Sequence, residues 1–308
     1  MFDPTPARTL KGHQGAVTAV RFNPAGTYCV SGGADKTVNL WNPHSGMLLK
    51  TYIGHGHEVL DLATASNNEW IVSCGGDKTV IQWDVASGNI LRKLRGHLAR
   101  VNCLGLNADN TVVVSGSYDA TVRIWDLKSN MRDPVQTMKE AKDSICSIHI
   151  MNHEMVVGSV DGSIRIYDVR VGRVTTDTIG SPVTSVRFSS DGNCILASTL
   201  DSAVRLLDKD LGKLLGTYSG HVNESYKLDS TFALNDSHVL SGSEDGKLFV
   251  WSLVEAKIIQ TIAAHKGAVQ GVSHHPFEPS VLTSAVDGLI KVWKPPAPAE
   301  QDEIPDYD

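Results

Sequence analysis

The chain has 308 residues, of which 41% are hydrophobic and 20% charged, as in a globular protein with a large buried core. Its 28 basic and 34 acidic side chains give a formal net charge of −6. Residues 295–308 hold five of the acids and no basic residue, so the rest of the chain is nearly neutral. This charge balance excludes a strongly basic nucleic-acid clamp.

Targeting segments and cofactor motifs are missing from the sequence. No apolar run approaches the roughly 18 residues of a membrane-spanning helix, and residues 1–10 lack the apolar region of a signal peptide. We therefore expect the protein in the cytoplasm and the nucleus, without a membrane partner. The five cysteines are widely spaced and form no Cys-x-x-Cys pair, so we expect free thiols, no metal and no other cofactor.

A unit of about 42 residues recurs seven times along the chain. One position marks the units with spacings of 42, 42, 42, 40, 44 and 42, at Trp41, Trp83, Trp125, Tyr167, Leu207, Trp251 and Trp293. An aspartate stands six residues before every marker, at Asp35, Asp77, Asp119, Asp161, Asp201, Asp245 and Asp287. A Gly-His pair, or Ala-His in the last case, precedes five of the units, with the histidine at His13, His55, His97, His221 and His265.

Each unit contains about four short β-type runs separated by turn residues. In the first unit the runs are residues 16–22, 27–31, 37–41 and 47–52. They are apolar without clean alternation, which is typical of sheets packed on both faces. No stretch shows helical periodicity. The pattern therefore predicts an all-β, seven-bladed propeller with four strands in each blade.

The two ends of the chain indicate how the ring closes. The last unit ends at Trp293 without a fourth strand, whereas residues 8–10 resemble the fourth-strand segments at residues 90–94 and 258–262. We expect the N-terminal strand to complete the last blade, which removes an open sheet edge. We assign residues 1–294 to the propeller and residues 295–308 to an acidic, Pro-rich, disordered tail.

The repeated order of Gly-His, aspartate and Trp-Asp resembles the signature of the WD-repeat family, over residues 8–294. The resemblance implies a buried hydrogen-bonded network of the histidine, a strand Ser or Thr, the turn aspartate and the tryptophan. Five units carry the full set, namely His13, Ser31, Asp35 and Trp41; His55, Ser73, Asp77 and Trp83; His97, Ser115, Asp119 and Trp125; His221, Ser241, Asp245 and Trp251; and His265, Thr283, Asp287 and Trp293. The units of Tyr167 and Leu207 lack Gly-His and have Val157 and Ala197 at the Ser position, so we expect apolar packing there instead.

No constellation in the sequence points to catalysis. Each His and Asp of the repeat recurs at the same place in several units, which indicates an architectural role. The Gly-rich stretches lead into strands and not helices, so they lack the helix N-terminus of a phosphate-binding loop. There is no Gly-x-Ser-x-Gly element and no kinase motif set. We expect no catalytic residue and no enzyme activity.

The remaining candidates are surface positions. In the WD-repeat family the narrower, top entrance of the ring is lined by equivalent positions of each blade, and partners often dock there. One such position precedes the turn aspartate, and two others flank the β-branched residue that begins the first strand. Residues suited to interfaces at these positions are Glu58, Leu60, Arg100, Tyr118, Leu200 and Glu244.

Within the WD-repeat family, the runs at residues 52–62, 158–162, 200–216 and 226–229 resemble scaffold proteins that organise mitogen-activated protein kinase modules. Those proteins are also similar to a component recovered in spliceosomes. The resemblance implies a non-catalytic scaffold, monomeric within larger assemblies, that binds kinase-module or spliceosomal proteins and contacts RNA at most indirectly. The alternative is a substrate receptor of a cullin-type ubiquitin ligase. Its adaptor motif, Trp-Asp-x-Arg, is approached by Tyr167-Asp168-Val169-Arg170.

Overall fold

The computed structural model describes residues 1–129 and 131–296, and this part of the chain folds into 28 strands, β1 to β28. The strands form seven four-stranded antiparallel sheets, arranged as the blades of one ring. The predicted seven-bladed, all-β propeller is confirmed. The described residues contain no helix of the length and apolarity needed to cross a membrane. Residues 297–308, most of the predicted tail, lie outside the described residues.

The first three blades use consecutive strands. Blade 1 contains β2 to β5, at Val17–Phe22, Cys29–Gly33, Thr37–Trp41 and Leu48–Ile53. Blade 2 contains β6 to β9, at Val59–Thr64, Trp70–Gly75, Thr79–Asp84 and Ile90–Arg95. Blade 3 contains β10 to β13, at Val101–Leu106, Val112–Ser117, Val122–Asp126 and Gln136–Met138.

The other four blades follow the same order. Blade 4 contains β14 to β17, at Ile145–Met151, Glu154–Ser159, Ser163–Asp168 and Arg173–Thr178. Blade 5 contains β18 to β21, at Val183–Phe188, Cys194–Thr199, Ala203–Asp208 and Leu214–Tyr218. Blade 6 contains β22 to β25, at Ser230–Ala233, His238–Gly242, Lys247–Ser252 and Ile258–Ala263. Blade 7 contains β26 to β28, at Val269–His274, Val281–Ala285 and Leu289–Trp293, together with β1 at Arg8–Lys11.

The core lies between the faces of adjacent blades. The second strand of a blade is buried on both faces, as all five residues of β3 show, whereas the fourth strand is largely exposed, as in β5. The first strands of neighbouring blades contact one another and surround a central channel. A strand buried on both faces needs apolar residues at successive positions. This explains why the runs did not alternate.

The N-terminal strand closes the ring, as predicted. β1 pairs antiparallel with β28, with Arg8 opposite Val292 and Leu10 opposite Ile290. Leu10 is 1% exposed and packs in the cluster that joins blade 7 to the Trp41 indole of blade 1. Residues before the strand also contribute, since the buried Phe2 packs between blades 6 and 7. Closure therefore depends on apolar burial as well as on backbone pairing.

We predict that Leu10→Ala lowers the free energy of unfolding by about 2 to 5 kcal/mol, because it leaves a cavity where the two ends of the ring join. Denaturant titration followed by circular dichroism measures the loss. Leu49→Ala is the matched control, since Leu49 is 45% exposed on an outer strand and should cost well under half as much. Equal losses for the two variants would contradict a special role for the closing strand.

Candidate interaction surface

In blades 1, 2, 3 and 7 the four repeat side chains form one chain of hydrogen bonds. In blade 3 the Trp125 indole N–H donates to Ser115 Oγ at 2.8 Å, and Ser115 Oγ lies 2.8 Å from His97 Nε2. The other ring nitrogen, Nδ1, lies 3.0 Å from Asp119 Oδ2. Because a carboxylate only accepts, we assign the proton to Nδ1, and Nε2 then accepts from the serine hydroxyl. The same bonds occur among His13, Ser31, Asp35 and Trp41; His55, Ser73, Asp77 and Trp83; and His265, Thr283, Asp287 and Trp293.

The aspartate of the network is a nearly buried carboxylate held by several donors. Burial by itself would raise the pKa of Asp119, but hydrogen bonds from the Thr121 hydroxyl, the Leu98 N–H and His97 outweigh it and lower the pKa to about 2. The carboxylate is therefore ionised at neutral pH. It ties the turn after the second strand to the segment that enters the blade.

This tie also fixes the residue before the aspartate. The Tyr118 N–H donates to the Arg100 carbonyl at 3.0 Å, and Ala120, on the other side of Asp119, has a left-handed backbone with φ of 61°. In every blade the N–H of the residue before the turn aspartate donates to a backbone carbonyl in the segment that leads into the first strand. In blade 6 the acceptor is Val222, which was not among the positions predicted from the repeat. The networks therefore set the geometry of the surface above them.

Blade 6 does not form the predicted network. Neither nitrogen of the buried His221 ring has a hydrogen-bond partner among the described residues. The Trp251 N–H donates to the Ser219 carbonyl at 3.0 Å, and the Ser241 hydroxyl donates to the Gly242 carbonyl at 3.0 Å. The prediction of a full set in five blades is thus wrong for this blade.

The cause lies in what surrounds the tryptophan. Phe249 stacks on the Trp251 indole, with ring centroids 5.5 Å apart and an angle of 18°, and His221 packs edge-on against the same indole. Because Phe249 covers the indole face, the N–H turns towards the backbone. The turn carboxylate of Asp245 pairs instead with Lys247 at 2.7 Å, near the surface.

Blades 4 and 5 replace the histidine with an arginine. Arg165, only 4% exposed, donates to Asp161 at 2.7 Å, and Arg205 forms the corresponding pair with Asp201. The expectation that apolar packing alone holds these blades was therefore wrong. Each arginine stands four residues after its aspartate in a unit that lacks the histidine, and this combination was the signal available in the sequence; Arg123 stands at the same distance from Asp119, but there His97 pairs with the carboxylate.

A bulge in the first strand of six blades directs one side chain towards one end of the channel. The pairing register shifts near the start of β2, β6, β10, β14, β18 and β26. Bulges commonly re-aim a side chain in this way. The bulged residues all line a cavity of about 410 Å³, which we call the top mouth; they are Thr18, Leu60, Asn102, Cys146, Thr184 and Gln270.

Four of the six predicted surface residues meet in the top mouth, namely Leu60, Arg100, Tyr118 and Leu200. The Arg100 guanidinium lies over the Tyr118 ring, 4.9 Å from its centroid, and the Tyr118 side chain is 56% exposed. The mouth thus combines a cation stacked on an aromatic ring with apolar side chains.

Glu58 and Glu244 do not line this cavity. Glu58 folds over Gly76, where its carboxylate occupies the space that a Cβ would fill. Glu244 instead has a structural contact, since its Oε1 accepts the N–H groups of Glu224, Ser225 and Tyr226 at 2.6 to 3.0 Å.

The segment held by Glu244 enters the top mouth. Ser225, Tyr226 and Lys227 line the cavity, and Lys227 Nζ donates to the Asn102 carbonyl of blade 3 at 2.9 Å. Tyr226 and Lys227 are mouth residues that the repeat pattern did not predict. The available signal was the spacing from His221 to Trp251, which is two residues longer than the histidine-to-tryptophan spacing of the other units. The path of this longer segment across the channel could not be read from the sequence.

Comparison with known proteins agrees with this geometry. The WD domain, G-beta repeat family matches residues 4–42 and 256–294, and the nucleolar protein 10-like N-terminal domain matches residues 33–237. WD repeat domain-containing protein 83 of Homo sapiens is 55% identical over 295 residues, covering 96% of this chain and 93% of its own length. The chain belongs to the WD-repeat family, in the group of WD repeat domain-containing protein 83.

Other members of the group are similar along nearly their whole length. The protein of the same name from Danio rerio is 59% identical, covering 93% of this chain and 90% of its own. The homolog from Dictyostelium discoideum is 35% identical, covering 93% of this chain and 97% of its own. WD-repeat propellers commonly bind other proteins on the surfaces of the ring.

We predict that Asp119→Ala lowers the free energy of unfolding by about 2 kcal/mol or more, because it removes the carboxylate that accepts the His97 Nδ1–H, the Thr121 hydroxyl and the Leu98 N–H. Asp245→Ala is the matched control in a blade without the network. It removes a pair with Lys247, whose side chain is 46% exposed, and should cost much less. Urea denaturation of both variants measures the difference. Equal costs would show that the network adds nothing to the turn.

We also predict that the melting temperature falls as the pH is lowered from 7 to 5. Burial lowers the pKa of His221 from 6.5 to about 4 and also lowers the pKa values of His13, His97 and His265. In this range the unfolded chain takes up protons that the folded chain does not, so the stability present above pH 6.5 is lost towards the folded pKa values.

Thermal melting at several pH values checks this dependence. The variant His221→Asn should show a shallower fall than the parent, because it removes one of the contributing imidazoles. A melting temperature that stays constant or rises on acidification would refute the assignment of neutral buried histidines.

Proposed function

We propose that this chain is a non-catalytic protein-interaction scaffold that docks partners at the top mouth. Its partners are components of mitogen-activated protein kinase modules, spliceosomal proteins, or both, and it acts in the cytoplasm and the nucleus. RNA is contacted only through partner proteins. The resemblance to kinase-organising scaffolds supports the choice of partners, and the WD-repeat fold supports the scaffold role.

The Arg100–Tyr118 pair is the observation that carries the docking proposal. Tyrosine and arginine are among the residues that contribute most to protein interfaces. Here the exposed ring and the guanidinium are already stacked at 4.9 Å in the free protein. Exposed stacked pairs of this kind offer a partner both an apolar face and a positive charge.

The pair is also held in place before a partner arrives. The Arg100 carbonyl accepts both the Tyr118 N–H at 3.0 Å and the Ser117 hydroxyl at 2.8 Å. The network below Asp119 fixes the turn itself. Because little ordering is left to be done on binding, more of the contact energy appears as affinity.

The rest of the mouth defines the chemistry of the partner segment. Leu60 and Leu200 provide apolar contacts beside the Arg100 guanidinium. The other charged groups in the mouth are the carboxylate of Asp143 and Lys227, whose charge is offset by Asp61 at 4.0 Å. The surface therefore suits a segment that brings an apolar side chain to the leucines and an acidic side chain to Arg100.

The burial of the Ser-His-Asp sets supports a non-catalytic role. Their composition matches that of a hydrolase triad, but Ser31, Ser73 and Ser115 are 0% exposed. Each of these hydroxyls also accepts the N–H of the blade tryptophan. A serine enclosed in this way cannot approach a substrate carbonyl.

We predict that the double variant Arg100→Ala/Tyr118→Ala loses its protein partners while its melting temperature stays nearly unchanged. The tagged full-length chain is purified from nuclease-treated nuclear and cytosolic extracts, and co-purifying proteins are quantified by mass spectrometry. The control Tyr28→Ala/Arg132→Ala removes an exposed tyrosine and an exposed arginine outside the mouth and should retain the partners.

The identity of the partners decides between the roles. Spliceosomal proteins that survive nuclease support the nuclear role, and kinase-module proteins in the cytosolic sample support the signalling role. A ubiquitin-ligase adaptor as the main partner, lost on Arg170→Ala, would overturn both. Normal binding by the double variant would overturn the assignment of docking to the top mouth.

A further inference from the structure

A second cavity, of about 360 Å³, opens at the other end of the channel, where the first strands end. We call it the bottom mouth. It is lined by Arg21, Asp61, His149 and Arg187, from the first strands of four blades, and by Lys227 and Asp229, from the segment before the first strand of blade 6. Lys227 is the one described residue that lines both this cavity and the top mouth.

Most of the charges in the bottom mouth neutralise one another. Arg21 donates to Asp229 at 2.6 Å and to Asp61 at 3.0 Å, so two carboxylates share one guanidinium. Lys227 Nζ lies 4.0 Å from Asp61 and offsets the second negative charge. These four groups therefore sum to zero formal charge.

Arg187 carries the one positive charge that this neutral set of four groups does not balance. No described residue forms an ion pair with its guanidinium or accepts a hydrogen bond from it, although it lies deep in the channel beside the cavity. An arginine stays protonated at neutral pH, so the mouth carries one uncompensated positive charge. A charge in such a partly enclosed site is costly unless an anion or water accompanies it.

His149 adds a neutral donor beside this charge. Its Nδ1 accepts the Phe188 N–H at 3.1 Å, so the proton of the neutral ring lies on Nε2. Burial, with the nearby charges of Arg187 and Arg21, lowers the pKa of His149 to about 3, and the ring is neutral at pH 7. No described residue accepts a hydrogen bond from the Nε2–H, which leaves it available to a ligand.

We propose that the bottom mouth is a binding site for a small phosphate-class oxyanion, with the Arg187 guanidinium as its main ligand and the His149 Nε2–H as a second donor. The planar fork of arginine matches two oxygens of a phosphate group and forms strong charge-assisted hydrogen bonds with them. The carboxylates that would repel the anion are already engaged by Arg21. The proposed ligands Arg187 and His149 line the bottom mouth and not the top mouth, and Lys227 lines both.

The test uses inorganic phosphate as the probe. The full-length chain is titrated at pH 7.5 and constant ionic strength, with chloride as the balancing anion, and binding is followed by ³¹P NMR. We expect saturable binding at one site. Arg187→Gln should weaken it by about tenfold or more, because it removes a charge-assisted bond in a partly enclosed site.

Three further variants separate the site from general electrostatics. Arg187→Lys keeps the positive charge but loses the planar fork of the guanidinium, so its affinity for phosphate should lie between those of the parent and Arg187→Gln. If Arg187→Gln does not fold, the affinity of Arg187→Lys tests the role of Arg187 instead. His149→Asn should weaken binding by a smaller factor. Arg132→Gln, at an exposed position, removes the same charge and should leave binding unchanged. Non-saturable binding, or equal affinity in Arg187→Lys, Arg187→Gln and the parent, would overturn the proposal.

Discussion

Every blade depends on an aspartate at the turn between its second and third strands. In six blades the carboxylate accepts the N–H of the residue two positions later, at 3.0 to 3.3 Å. This local bond shapes the turn. In all seven blades the residue after the aspartate has a left-handed backbone, with φ between 58° and 82°, at Lys36, Lys78, Ala120, Gly162, Ser202, Gly246 and Gly288. Four of these seven residues are not glycine, so the turn holds a conformation that their side chains disfavour.

The turn is conserved among the blades although the partner of the aspartate changes. The carboxylate pairs with a histidine in blades 1, 2, 3 and 7, with an arginine in blades 4 and 5, and with a lysine in blade 6. A partly buried carboxylate needs a donor, and all three side chains supply one. The blades therefore share one turn geometry with different interiors beneath it, and the residue before each aspartate reaches the same level of the ring.

The two ends of the channel acquire different chemistry from the same first strands. At the top end, the bulge turns residues such as Leu60 inward, and the rigid turn places Tyr118 beside Arg100. At the bottom end the strands are regular, and inward side chains bring charges such as Arg21 and Arg187 together. Lys227, from the segment before the first strand of blade 6, lines both cavities. One ring thus offers an apolar and aromatic surface at one end and a charged one at the other.

The sequence by itself determined the number of blades, the four strands of a blade and the closure by residues 8–10, because a local period and a missing fourth strand encode them directly. It placed the second strand of blade 1 at residues 27–31, whereas the strand is Cys29–Gly33, since Thr27 and Tyr28 belong to the turn after Gly26. Arg165 could have been recognised from its fixed distance to Asp161.

Only the tertiary structure decided which side chains meet across the ring. The stacking of Phe249 on Trp251 redirects an indole that the repeat pattern assigned to Ser241, because the pattern records positions and not the space around them. Arg21 and Asp229 lie 208 residues apart in sequence and 2.6 Å apart in the channel. Such contacts join different blades, and no local period carries information about them. The network was therefore predictable in blades 1, 2, 3 and 7 and not in the other three, whereas the composition of the two mouths followed from closing the ring.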